Sequence, residues 1–95
     1  MTTFTFESDS GHGWLLVTYA QLAKVGLSEQ DITPFSYVSQ TGQIALEEDC
    51  DAATFLDAWK AKTGEAPRFD EQTVETTDIR NWTPFGAKGR TSHVA

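Results

Sequence analysis

The chain has one cysteine, Cys50, only three prolines and no long apolar run. A lone thiol closes no internal disulfide and starts no zinc ligand set, so a reducing compartment is expected and the fold must rest on its core. The first residues, MTTFTFESDSGHGW, have neither a basic start nor an apolar stretch long enough for a signal peptide or a spanning helix. A cytoplasmic protein is expected. Positive charge is scarce too: seven lysines and arginines stand against fourteen aspartates and glutamates, for a formal net charge of -7. That balance disfavours adhesion to nucleic acid or to anionic membrane, and it suits a basic protein partner. Glycine-rich phosphate loops, paired histidines at metal spacing and basic aromatic stripes are missing, so no cofactor and no metal are expected. Internal repeats and heptads are missing as well.

What the chain does have is aromatic surface, with six Phe, three Trp and two Tyr in 95 residues. A domain this short buries a small share of its surface, so each ring weighs heavily in stability. Residues 1–85 read as a single α+β domain. Residues 86–95, GAKGRTSHVA, lack the apolar content to dock and are expected to form a mobile tail.

Thr2 to Phe6 alternates threonine with phenylalanine, as in a strand buried on one side, and the turn formers ESDSGHG separate it from the apolar run Trp14 to Val17. An antiparallel pair follows from that arrangement. Thr18 with Gln21 matches a capping box, and Tyr19, Leu22 and Ala23 would share the inner face of a short helix closed at Gly26. Ser28 is placed to cap a further turn that ends before Pro34. Phe35 to Ser39 and Gln43 to Glu47 flank Gly42 and predict a hairpin with Ile44 and Leu46 on one face. Ala52, Phe55, Leu56 and Trp59 fall at i, i+3, i+4 and i+7, which predicts a helix over Ala52 to Lys62 with Asp49 or Asp51 as its cap and Gly64 as its stop. Gln72 to Thr77 is rich enough in Val and Thr for another strand, and Asp78 is placed to cap a turn carrying Ile79 and Trp82. The expected architecture is an antiparallel sheet of about four to five strands, with the main helix on one face and one short helix beside it.

Three groups of residues are candidates for function. Glu47, Glu48, Asp49, Cys50 and Asp51 place four carboxylates and the thiol at a strand-to-helix junction. Clustered oxygens attract hard cations, but the alternating spacing of a calcium loop is lacking, and capping with dipole placement accounts for two or three of the acids. The same negative charge disfavours a reactive thiolate at Cys50. Asp9, Ser10 and His12 bring a carboxylate, a hydroxyl and an imidazole to one glycine turn, yet a nucleophile needs a base positioned by a third group, which adjacent turn residues seldom supply. Trp82 and Phe85 are either core anchors or interface hot spots through which a homodimer would form.

Gly11-His12-Gly13-Trp14-Leu15, Ile32-Thr33-Pro34-Phe35-Ser36-Tyr37 and Leu46-Glu47-Glu48-Asp49-Cys50-Asp51 together resemble short uncharacterised proteins carried by phages, plasmids and other mobile bacterial DNA. The likeness spans about half of the chain, from Gly11 to Phe55, and implies a bacterial or phage setting without an activity or catalytic residues to carry over.

The sequence therefore favours a non-catalytic acidic accessory protein that binds another macromolecule. Its partner would be a basic protein surface, including a nucleic-acid-binding protein if the carboxylates mimic DNA phosphates. The binding candidates are Glu47, Glu48, Asp49, Asp51, Trp82 and Phe85. The alternative is a small metal-dependent or hydrolytic enzyme that uses His12 with the Glu47 to Asp51 cluster, and Asp9 and Cys50 as its other candidates.

Overall fold

Phe4 and Phe6 point to one side of the first strand, β1 (Thr3–Ser8), and this side becomes the core face of the protein. The chain turns at residues 9–12 and returns antiparallel as β2 (Gly13–Val17), with Phe6 opposite Leu15 and Glu7 opposite Trp14. The protein is described here from a computed structural model covering residues 2–85; the expected tail at 86–95 lies outside the described residues. The turn forms because the Asp9 carboxylate accepts the backbone N–H groups of Gly11 and His12 at 2.9 and 3.0 Å, while the Asp9 N–H donates to the His12 carbonyl. Gly13 is needed for a different reason. A Cβ there would lie 2.6 Å from the Phe6 ring, so the phenylalanine packs where a side chain would be.

Helix α1 (Tyr19–Lys24) begins with the expected capping box, Thr18 Oγ1 accepting from the Gln21 N–H and Gln21 Oε1 from the Thr18 N–H. Only Leu22 of this helix is buried; Ala23 is exposed and Tyr19 is 41% exposed with its ring beside Phe85, so the inner face is narrower than the spacing predicts. A 3-10 turn follows at Glu29–Asp31, where the Asp31 carboxylate accepts from the Ser28 N–H and hydroxyl. The hairpin pairs β3 (Tyr37–Val38) with β4 (Ile44–Glu47) and turns at Gly42, whose φ of 88° suits a residue without Cβ.

Helix α2 (Asp51–Thr63) starts at Asp51, with Cys50 in the capping position and no side chain bonded there. Neither Asp49 nor Asp51 is the cap, because the Asp51 carboxylate is turned to another loop. Phe55 and Trp59 meet Phe4 edge-on at centroid distances of 5.4 and 5.1 Å, forming the centre of the main core with Leu15, Ile44 and Leu46.

The sheet departs from expectation in size and in sense. It has six strands in the order β5-β1-β2-β4-β3-β6, where β5 is Arg68–Thr73 and β6 is Thr83–Pro84. β5 runs parallel to β1, so the sheet is mixed, and β4 and β5 point the same way with β2 and β1 between them. Helix α2 is the crossover joining those two parallel strands, which explains its length and its position across the face. The strand predicted at Gln72 to Thr77 is thus shifted to Arg68–Thr73, because backbone pairing with β1 sets its register while none of its side chains is buried.

From the edge at β5 the chain must travel to β6 at the opposite edge. It crosses the other face of the sheet through a 3-10 turn at Asp78–Asn81, burying Ile79 against Trp14 and Ala45. Thr77, not Asp78, caps that turn, its hydroxyl accepting from the Ile79 N–H at 2.9 Å. Both faces of the central strands are therefore covered, and no helix among the described residues is long and apolar enough to cross a membrane.

Candidate functional site

The site is built on the crossed face, at the end of the sheet where β2 begins. In β2 and β4, alternation sends Leu15, Ile44 and Leu46 into the main core, while Trp14, Ala45 and Glu47 point to the second face, with Trp14 paired opposite Glu47. Tyr37 stands opposite Ala45 on that same face. Around these residues lies a cavity of about 210 Å³ lined by His12, Trp14, Pro34, Phe35, Tyr37, Glu47 and Arg80.

One of its walls is Phe35, 71% exposed. The loop carrying this ring is anchored from beneath by Asp51. The Asp51 carboxylate, on a residue only 2% exposed, accepts from the Thr33 N–H at 3.1 and 3.2 Å, from the Thr33 hydroxyl at 2.7 Å and from the Ser36 hydroxyl. Ser36 Oγ in turn accepts from the Glu47 N–H at 2.9 Å, so β4, the loop and the first turn of α2 share one buried network. The start of a helix favours the negative charge. Thr33 and Ser36, on either side of Pro34 and Phe35, leave the ring held outward on a fixed loop.

The roof of the cavity is Arg80, whose guanidinium lies 5.2 Å from the centre of the Trp14 ring and pairs with both oxygens of Asp9. The Asp9 side chain is 4% exposed and also accepts the Thr77 N–H at 3.2 Å, locking the crossing segment to the β1–β2 turn. The Arg80 hydrogen bonds, with those from the Gly11, Thr77 and His12 N–H groups, hold the Asp9 carboxyl well below the usual carboxylate range. Trp14 itself is 2% exposed, and its buried indole N–H has no acceptor among the described residues. Tyr37 meets it edge-on at 6.3 Å and His12 lies at 5.7 Å.

The predicted site residues separate into different roles. Glu47 is half-buried in the cavity wall, its Oε1 accepting the Asp49 N–H at 2.8 Å, while Glu48 and Asp49 are exposed beside it. Asp51 is enclosed by the Thr33 and Ser36 network and is unavailable to a partner. Phe85 is 2% exposed within the main core, and Trp82 is half-buried against Trp14 and Ile79, so these two do not form an exposed pair. His12 and Glu47 do line one cavity, but Asp9 is committed to Arg80 and bonds only the backbone of His12. Ser10 is exposed. Burial pushes the Cys50 thiol up, with the Asp51 charge and the bond to Glu47 acting the same way against a hydrogen bond with Thr33. No group of three His, Cys, Asp or Glu residues suited to a metal occurs among the described residues.

Sequence reasoning missed Phe35, Tyr37 and Arg80 as site residues. The alternation that puts Ile44 and Leu46 inside also puts Tyr37 and Glu47 outside together, a signal that was available; the arrival of Arg80 from the far edge had none. No protein-family model matches the chain, and no curated protein and no solved structure matches it either.

Proposed function

We propose that this protein is a non-catalytic binding module for a basic surface of another protein, with the Phe35 face as its contact. The observation that carries the reading is an aromatic ring left 71% exposed on a loop fixed by a buried carboxylate, next to a cavity whose unpaired charge is negative. Hot spots combine a fixed aromatic with a neighbouring pocket, since preorganisation lowers the ordering cost of association. Asp9 neutralises Arg80, which leaves Glu47 as the charge in the cavity wall, with Asp49 exposed in the turn that follows it. The lysines of α2, Lys60 and Lys62, stand in its last turn, about 15 Å along the helix from this acidic end. For catalysis, by contrast, the groups would have to be poised: here burial pushes the thiol up, and among the described residues no carboxylate bonds the His12 ring.

Fluorescence anisotropy tests the reading with three labelled probes: a decapeptide alternating lysine and glycine, its glutamate counterpart, and a short DNA duplex. Binding of the lysine peptide that weakens as salt is added, with none of the other two, is the expected result. A lysine peptide that binds no tighter than the glutamate peptide overturns it.

A further inference from the structure

We infer that the cavity beside Phe35 takes one cationic side chain of an extended peptide. The inference rests on the basic-partner reading and adds the chemistry of the seat. At about 210 Å³ the cavity falls below the range of small-molecule and cofactor sites and has the size of a single long side chain. Its walls supply what such a side chain needs. Phe35 and Tyr37 line the space that would take the aliphatic stem, and the Glu47 carboxylate supplies the counter-charge. Glu47 commits Oε1 to the Asp49 N–H and the Cys50 thiol; Oε2 has no partner among the described residues.

Arg80 and His12 also line the cavity, and a cation must tolerate both. Arg80 is held by the two Asp9 oxygens and lies over the Trp14 ring, so its charge is already balanced. His12 sits on the exposed turn at the rim. The indole N–H of Trp14 is enclosed, with Arg80 and Tyr37 against its ring, and takes no part in the contact. A free amine would fill the cavity and leave the exposed Phe35 ring beside it uncovered, which is why the inference commits to a peptide segment.

Proton–nitrogen NMR titration with the peptide Gly-Ser-Lys-Ser-Gly, against the same peptide carrying norleucine in place of lysine, is the test. The expected result is movement of the Tyr37 and Glu47 amides, with the norleucine peptide about tenfold weaker. Phe35→Ser and Glu47→Gln are each expected to weaken the lysine peptide by about tenfold; the first ring is exposed and the second change keeps the Oε1 acceptor, so neither disturbs the core. Lysine-peptide shifts gathered instead at Asp70 and Glu71 on β5, or affinity unchanged in both variants, overturn the seat while leaving the basic-partner reading standing. Failure of this peptide and of the lysine decapeptide alike overturns both.

Discussion

Single residues decide much of this structure because the protein is small and several of them act in two places. Gly13 starts β2 and also leaves room for the Phe6 ring. Gly13→Ala is expected to destabilise the protein by about 1–3 kcal/mol, since the ring must leave its place in a packed core. Urea unfolding measures it, and Phe6→Leu in the same chain should recover part of the loss by removing the clash. Asp51 offers a second case. Its carboxylate accepts three donors from Thr33 and Ser36, and Asp51→Ala leaves them buried without an acceptor. A loss of at least about 2 kcal/mol is expected in the same assay, together with increased motion of the Phe35 loop in amide relaxation. Asp9 predicts a pH effect. Its carboxyl is depressed from the ordinary 3.8 in the folded protein, so its stabilisation is complete above the unfolded value and is lost progressively as pH falls below it. Asp9→Asn should lower stability at neutral pH and flatten the acid side of the stability profile; an unchanged acid slope would contradict the Asp9–Arg80 lock.

At the scale of elements, the parts legible in the sequence are those held by neighbours along the chain. The capping box at Thr18, the hairpin turn at Gly42 and the Ala52–Phe55–Trp59 stripe all report interactions within a few residues, and each is present. β5 was misplaced because its information lies elsewhere: every one of its residues is exposed, and it is a strand only by virtue of its backbone bonds to β1. The same applies to the strap over the second face, whose lock joins Asp9 to Thr77 and Arg80 across most of the chain. As an open edge, β5 needs protection from pairing with another copy, and Asp70 and Glu71 provide it. In an antiparallel pairing of two β5 strands about a central two-fold axis, Asp70 would stand opposite Glu71. Replacing both by threonine should increase concentration-dependent association in sedimentation velocity; sedimentation unchanged from the wild type would show that the edge is guarded by something else.

For the whole molecule, charge and exposed aromatic surface point to the same place. The acidic balance was readable from composition, and so was the crowding of Glu47, Glu48 and Asp49 at a junction. Which of the acids remain available was not, because that depends on Asp51 turning inward to Thr33 and Ser36 and Asp9 turning to Arg80. Nor was the site's roof, which requires the chain to cross from one sheet edge to the other. The result is that two carboxylates are spent on structure, Glu47 remains at the cavity wall with Phe35, and Glu48 and Asp49 remain exposed in the adjoining turn. The most direct test is a paired selection from a random-peptide display library, run on the wild-type protein and on Phe35→Ser. The account predicts that the wild type enriches peptides containing lysine or arginine and that Phe35→Ser loses this enrichment; acidic or uncharged peptides from the wild type, or the same basic peptides from both proteins, would contradict it.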